Sequence, residues 1–237
     1  MDKNVFKFKR FEVRHEQSSM KVGVDAVLLG AWAGKKATKI LDVGTGCGVI
    51  ALILAQRFPK SKIIGIDSDL ISIEEAYLNF RNSPWSENMI ALQQEFPNCA
   101  DAFQESFDLI VSNPPYFNSG ISKPSTRRER ARHQDSLSVF SLLDYSGHLL
   151  DSNGRLSIIF PMEFREEVSI KANKNGFFIF RECIILNNKN RKPKRVMIEF
   201  GKRSDIQKEN TEYLVLFEDS QPTNEYRSLC SDFYLKF

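Results

Sequence analysis

With 237 residues, 42% of them hydrophobic and 27% charged, the chain is ample for one core and slightly long for one average domain. No run approaches the ~18 apolar residues of a membrane span, and the opening Met1-Asp2-Lys3-Asn4 lacks a signal-peptide core, so the expected compartment is the cytoplasm. A formal net charge of +3 is too weak to announce a nucleic-acid partner, while unpaired spacing of Cys47, Cys99, Cys183 and Cys230 and three scattered histidines support neither a disulfide framework nor a zinc site.

Residues 1–36 carry aromatic and basic side chains and then a helix around Asp25–Ala33. From about 39 to about 175 strands and helices alternate, with strands near 39–43, 62–66, 89–94, 107–112 and 154–160. The intervening helices are predicted near 48–57, 69–81, 136–150 and 163–175. Strands near 177–186, 194–201 and 212–218 follow, the first two separated by Asn187-Asn188-Lys189-Asn190 and Pro193, as a hairpin turn would be. Such alternation predicts a parallel sheet with helices on both faces, and the late hairpin adds an antiparallel edge. Residues 117–135, rich in Ser, Arg and Pro and without a hydrophobic period, are expected to form a mobile substrate loop.

Two motifs carry chemistry. Ile40-Leu41-Asp42-Val43 runs into Gly44-Thr45-Gly46-Cys47-Gly48 and then a helix-period apolar stretch, the opening of a βαβ unit. Glycines there let the backbone turn tightly and let a ligand lie close against it. Ile63-Ile64-Gly65-Ile66 ends in Asp67, at roughly the 20-residue spacing of an acid that holds ribose hydroxyls. By itself the glycine turn also fits NAD or FAD. The second motif is Asn113-Pro114-Pro115-Tyr116, directly after an apolar strand. Two prolines fix φ near −65° and remove two N–H donors, and Pro114 pushes Asn113 into an extended conformation. The result is a stiff ledge offering an amide oxygen, a free carbonyl and an aromatic face. It suits a planar amino group gripped through its N–H bonds and stacked from one side, although Pro-Pro after a strand is often only a stiff turn. A dinucleotide site has no use for it.

Charge distribution adds a third signal. Lys123, Arg127, Arg128, Arg130 and Arg132 face one acid, Glu129, in a run that ends at His133. Lys189, Arg191, Lys192, Lys194, Arg195, Lys202 and Arg203 face Glu199. Basic runs are commonly just solvated loops, and Arg132 and His133 fit that reading as well as contact with RNA. Loops at strand C-termini nevertheless rim the crevice of an open α/β sheet, where two basic rims would meet a phosphate backbone.

The glycine turn, the acid after the second strand and the Asn-Pro-Pro-Tyr ledge together resemble class I S-adenosylmethionine-dependent methyltransferases of the amino-group branch. Phe6-Lys7-Phe8-Lys9-Arg10-Phe11, His15-Glu16, the stretch from Met20 to Trp32, Asn82-Ser83-Pro84-Trp85, the run from Ala131 to Leu137, Pro193-Lys194-Arg195 and the tail Asp232–Phe237 narrow this further. Over nearly the whole chain these are similar to the tRNA1(Val) (adenine(37)-N6)-methyltransferase family, whose members methylate the adenine 3′ of the anticodon. The resemblance implies an α/β class I (Rossmann-like) fold with a seven-stranded mostly parallel sheet, helices on both faces and a C-terminal antiparallel hairpin. One domain spans 1–237, with 1–36 an extension covering the cofactor.

By position, the resemblance implies S-adenosyl-L-methionine bound by Asp42, Gly44, Thr45, Gly46 and Gly48, with Asp67 on its ribose and Glu95 on its adenine amino group. S-adenosyl-L-homocysteine is the product. Lys21, Asp25 and Leu28 are implied at the amino-acid end of the cofactor, though Asp25 is equally readable as a helix cap. Asn113, Pro114, Pro115 and Tyr116 are implied as the catalytic motif. The sulfonium is the electrophile, so no metal is called for. Lys123, Arg127, Arg128, Arg130, Arg132, His133, Lys192, Lys194 and Arg195 are the candidate tRNA contacts, and no obligate protein partner is evident. Cys47 is expected to serve as a small neutral side chain, Asp108 as a structural acid, and Trp32 and Trp85 as packing. Two other readings stay open: methylation of another planar amino group (a release-factor glutamine, or a ribosomal RNA or DNA base), and a non-catalytic RNA-binding module of the same fold.

Overall fold

The strands β3 (Lys39–Val43), β4 (Lys62–Asp67), β5 (Met89–Gln93), β6 (Phe107–Ser112) and β7 (Leu150–Pro161) run parallel, in the spatial order β7-β6-β3-β4-β5. A computed structural model describes residues 4–18, 21–99, 103, 107–115, 137–202 and 211–237. The chain builds outward from β3 to β5, crosses back to β6 and builds the other way. A topological switch point therefore lies between β3 and β6, and a crevice opens at their C-terminal ends. On the β7 side β9 (Arg195–Gly201) adds antiparallel, β8 (Phe178–Leu186) pairs antiparallel with β9, and β10 (Glu212–Val215) lies parallel to β8 at the edge. The sheet thus holds eight strands among the described residues rather than seven. The predicted strand over 212–218 breaks at Leu216, and Phe217–Glu218 pairs as β11 with β12 (Gln221–Pro222) in a separate ribbon.

Successive strand residues enter different cores, as the two-residue period requires when both faces are covered. Ile40, Leu109, Ile159 and Met197 join α1 (Val24–Trp32) and α2 (Val49–Arg57) on one face. Leu41, Ile110, Ile158 and Ile198 face α4 (Val139–Leu149) and α5 (Arg165–Lys174) on the other. α3 (Leu70–Arg81) starts at Asp69, whose carboxylate accepts from the Ser72 N–H at 3.1 Å as an N-cap. α4 starts with a reciprocal capping box between Ser138 and Ser141.

The N-terminal segment holds structure that its composition did not announce. β1 (Val5–Lys7) and β2 (Glu12–Arg14) form a hairpin whose Phe8 bridges to Tyr234 in the tail beyond α6 (Asn224–Cys230). Phe6, Phe8, Phe11, Trp85, Tyr226, Tyr234 and Phe237 build one aromatic cluster, so the two ends of the chain are packed together. Trp32 and Trp85 are both buried, as packing residues. The C-terminus of α1 is fastened from three sides. Arg57 donates to the Gly30, Ala33 and Gly34 carbonyls, while Arg181 donates to the Trp32 carbonyl at 2.6 Å and stacks 4.0 Å from its ring. Glu199 accepts from the Gly34 N–H and from Ser157 Oγ, both at 2.8 Å. Two guanidinium groups thus satisfy carbonyls that the helix end leaves without partners.

Candidate active site

One row of paired residues crosses the sheet: Ile66 on β4, Val43 on β3, Ser112 on β6 and Ile158 on β7. Asp67, Gly44 and Asn113 each follow their member of that row. Asp67, the glycine turn and the asparagine-proline ledge therefore leave three neighbouring strands at one level. Ser112 Oγ donates to the Val43 carbonyl at 2.7 Å, tying the ledge strand to the turn. The Gly44 and Thr45 N–H groups both donate to the Ile66 carbonyl at 2.9 Å, carrying the turn toward β4.

Gly46 has φ +54°, and a Cβ built there would meet nothing within 4 Å. Among the described residues, the space beside Gly46 is open. Gly48 has φ +83°, and a Cβ there would lie 2.4 Å from the Phe80 ring, so the turn packs against α3 below. Asp67 is half-buried; Oδ2 accepts from the Gly46 N–H and Oδ1 from the Asp69 N–H, each at 3.0 Å. An ionised carboxylate has about four acceptor sites, so capacity remains for a further donor.

Asp42 works from beneath. It is fully buried and its Oδ2 accepts from Thr45 Oγ1 at 2.8 Å and the Ala51 N–H at 3.1 Å. Its Oδ1 is buried without a partner among the described residues. Burial raises its pKa to about 7, opposed by the bond from Thr45. Cys47 is buried and its thiol is pushed up to about 12 by burial, consistent with a neutral side chain filling the turn.

Asn113 is half-buried, Pro114 buried and Pro115 exposed. Tyr116 lies outside the described residues, as do Lys123, Arg127, Arg128, Arg130, Arg132 and His133 and the whole expected substrate loop. The described chain resumes at Leu137, whose side chain would lie 2.5 Å from a Cβ on Gly44, so it rests directly on the turn. Glu95, just past β5, is exposed and accepts from Asn98 Nδ2 at 3.0 Å. Lys21 is exposed and Leu28 is buried in the core. Asp25 does not cap its helix: the N-cap is Gly23, and Asp25, in the first turn, pairs with Arg195. Lys192 and Lys194 are exposed on the β8–β9 hairpin, whereas Arg195 turns inward with 22% of its side chain exposed. Lys202, part of the same basic run, donates to the Gly147 and Leu150 carbonyls and is structural. Asp108 accepts from the Thr38 N–H and hydroxyl and the Lys39 N–H, a structural role as expected.

Sequence reasoning missed two residues that serve this site. Glu75 and Asn79 lie one turn apart on α3 and are both buried. Glu75 accepts from the backbone N–H groups of Glu16, Gln17 and Ser18 at 2.8, 3.2 and 3.0 Å. Asn79 accepts from the Arg14 N–H and donates to the carbonyls of Arg14 and Cys47. The N-terminal arm is thereby stitched to the underside of the glycine turn.

Comparison with known proteins places this arrangement. The methyltransferase small domain family matches residues 21–175, more than half of the chain. The tRNA1(Val) (adenine(37)-N6)-methyltransferase of Histophilus somni is 36% identical over 99% of both chains. Those of Parabacteroides distasonis (38%, 98% of both chains) and Trichodesmium erythraeum (37%, 100% of both chains) are similarly related. The chain belongs to the tRNA1(Val) (adenine(37)-N6)-methyltransferase family. Solved structures agree on the methyltransferase fold at lower identity. A predicted O-methyltransferase of Agrobacterium tumefaciens superposes with a TM-score of 0.66 at 18% identity, covering 88% of this chain and 96% of its own. TrmN from Thermus thermophilus gives 0.55 at 22% identity over 75% of this chain and 48% of its own. Among the described residues of this methyltransferase, no helix is long and apolar enough to cross a membrane.

Proposed function

We propose that the chain transfers a methyl group from S-adenosyl-L-methionine to N6 of adenine 37, beside the anticodon of tRNA1(Val). The observation that carries this reading is the single row Ile66–Val43–Ser112, which sets a nucleoside-type turn and acid beside an asparagine-proline ledge in a chain related end to end to such enzymes. The residues present fit the donor: among the described residues there is open space beside Gly46, a half-exposed acceptor on Asp67 and a partnerless acceptor on Asp42. Gly44 to Gly48, Asp67, Glu95, Lys21 and Asp25 would hold it, with Asp42 and Thr45 shaping the turn from below. When bound, the donor supplies an electrophilic methyl on a sulfonium.

Adenine N6 is a poor nucleophile because its lone pair is delocalised into the ring. Acceptance of its two N–H bonds by the Asn113 side-chain oxygen and the Pro114 carbonyl localises that lone pair and aims it across to the turn. The N–C bond forms as the S–C bond breaks to leave S-adenosyl-L-homocysteine, and the more acidic N6 that results gives up one proton to solvent, so orientation and fixed electrostatics suffice without a general base. Tyr116 would stack on the base, for about 1–3 kcal/mol. An anticodon-loop base is unpaired, so splaying it out costs little. The deciding experiment is nucleoside mass spectrometry of tRNA1(Val) from cells with and without the gene, beside labelled-donor transfer onto RNA, DNA and protein fractions. N6-methyladenosine at position 37 should vanish with the gene. Label entering a protein or DNA fraction in place of tRNA would overturn the substrate.

A further inference from the structure

Asp25 and Arg195 belong to different parts of the chain and of the sheet, yet their side chains meet. Arg195 Nη1 donates to Asp25 Oδ1, and Nη2 donates to Asn187 Oδ1 at 2.9 Å across the base of the hairpin. Side-chain exposure is 22% for Arg195 and 16% for Asp25, and Arg195 Nε is buried without a partner among the described residues. A guanidinium so withdrawn and so occupied has little left to offer a phosphate, whereas Lys192 and Lys194 beside it are exposed. Its place in the sheet points the same way. Arg195 pairs with Pro161, beyond the row through Ile158, Ser112 and Val43, on the side where the crevice opens. α1 is fastened at its far end by Arg57, Arg181 and Glu199, and Ala26, Val27 and Leu28 bury its first turn in the core; the Arg195 pair adds a polar contact at that turn's exposed side.

We propose that Arg195 is a positioning residue for the donor end of the site rather than a tRNA contact: by holding the Asp25 carboxylate it fixes the first turn of α1 and so sets donor affinity. This rests on the proposed function, in which Asp25 helps to hold the donor. An exposed ion pair would contribute almost nothing, whereas removing one partner of a pair this far withdrawn takes a directed, partly desolvated contact away from the carboxylate. The test is calorimetric titration of S-adenosyl-L-homocysteine into the full chain and its variants, with binding of unfractionated tRNA measured in parallel. Arg195→Ala should weaken the homocysteine complex on the order of tenfold, within the span of coupling between neighbouring groups, and Arg195→Lys should recover part of it. Asp25→Asn should lose a similar factor, and the double variant should lose no more than either single one. Affinity of Arg195→Ala for tRNA should stay within about twofold, since a largely withdrawn, already paired guanidinium adds no phosphate contact.

Losses that simply multiply, or a drop in tRNA affinity with homocysteine binding intact, would overturn the inference. If Arg195→Ala does not fold, Arg195→Lys carries the comparison: it should weaken binding in the wild-type background and change nothing when Asp25 is already Asn. Equal effects in both backgrounds count against it. Failure of the underlying reading looks different, because then Asp25→Asn itself binds homocysteine as tightly as the wild type.

Discussion

Asn113 and Asp42 mark the two ways in which a residue can serve this crevice, one at its rim, where the proposed function puts the reaction, and one underneath it. Under the proposed function, Asn113→Ala would remove a fixed acceptor from the amino group; turnover of tRNA should fall by at least about 10²–10³, the range for losing one preorganised contact, while homocysteine binding persists. Single-turnover rates together with calorimetry would check both halves. Asp42 makes a prediction about pH. Its folded pKa of about 7 exceeds the ordinary carboxylate value of 3.8, so the native state holds a proton that the unfolded chain has released. Stability contributed by this group is therefore full below about pH 4 and is lost as pH rises to about 7, by an amount on the order of a few kcal/mol. Urea midpoints of Asp42→Asn, whose amide cannot ionise, should show no such decline, so its advantage over the wild type grows across that window. At this scale the sequence was legible where a residue's chemistry derives from its neighbours in the chain, as with Gly46, Asp67 and Asn113. It was silent where the partner is remote. Nothing near Glu75 announces three backbone donors some sixty residues away, and nothing near Arg195 announces Asp25.

The elements divide along the same line. Strands β3 to β9 stood out as apolar runs bounded by glycine, proline and asparagine, and their helices as periodic stretches between them, so most ends could be placed closely; β7 is the exception, starting at Leu150 rather than 154 because polar Asp151-Ser152-Asn153 hides its first residues, and α4 starts at Val139 rather than 136. The hairpin of β1 and β2 was not legible, because the three-residue strands Val5-Phe6-Lys7 and Glu12-Val13-Arg14 show too short a period to separate from a loop. α6 is similarly short, and it is held by the aromatic cluster rather than by its own propensity. α3 does double duty: its buried face packs on the sheet while Glu75 and Asn79 grip the N-terminal arm. Glu75→Ala should release that arm and leave the sheet alone. Amide hydrogen exchange at Glu16, Gln17 and Ser18 should accelerate to near the rate of an open segment while β3 and β4 keep their protection. Global acceleration would mean that Glu75 supports the fold and not the arm.

For the whole molecule, a net charge of +3 conceals an uneven surface in which Lys192 and Lys194 stand exposed on one hairpin while Arg195 and Lys202 of the same run are spent internally. Counting the run as seven cations therefore overstates what reaches RNA. Lys192→Ala and Lys194→Ala should each weaken tRNA binding without regard to sequence and lower the slope of log K against log salt by about 0.7–0.9, as filter binding between about 50 and about 200 mM salt would read. In the row Ile66–Val43–Ser112, turn and ledge are consecutive rungs of one hydrogen-bonded ladder. Their separation is fixed at about one strand spacing, ~4.8 Å, by the lattice of the backbone itself. A slip of one residue along β6 would invert every side chain on that strand, turning Ile110 away from its own core into the opposite one, so the gap between donor and acceptor cannot be tuned gradually. Relatives that accept a differently sized amino group are thus expected to differ in the segment beyond Pro115, with the strand lengths beneath left alone.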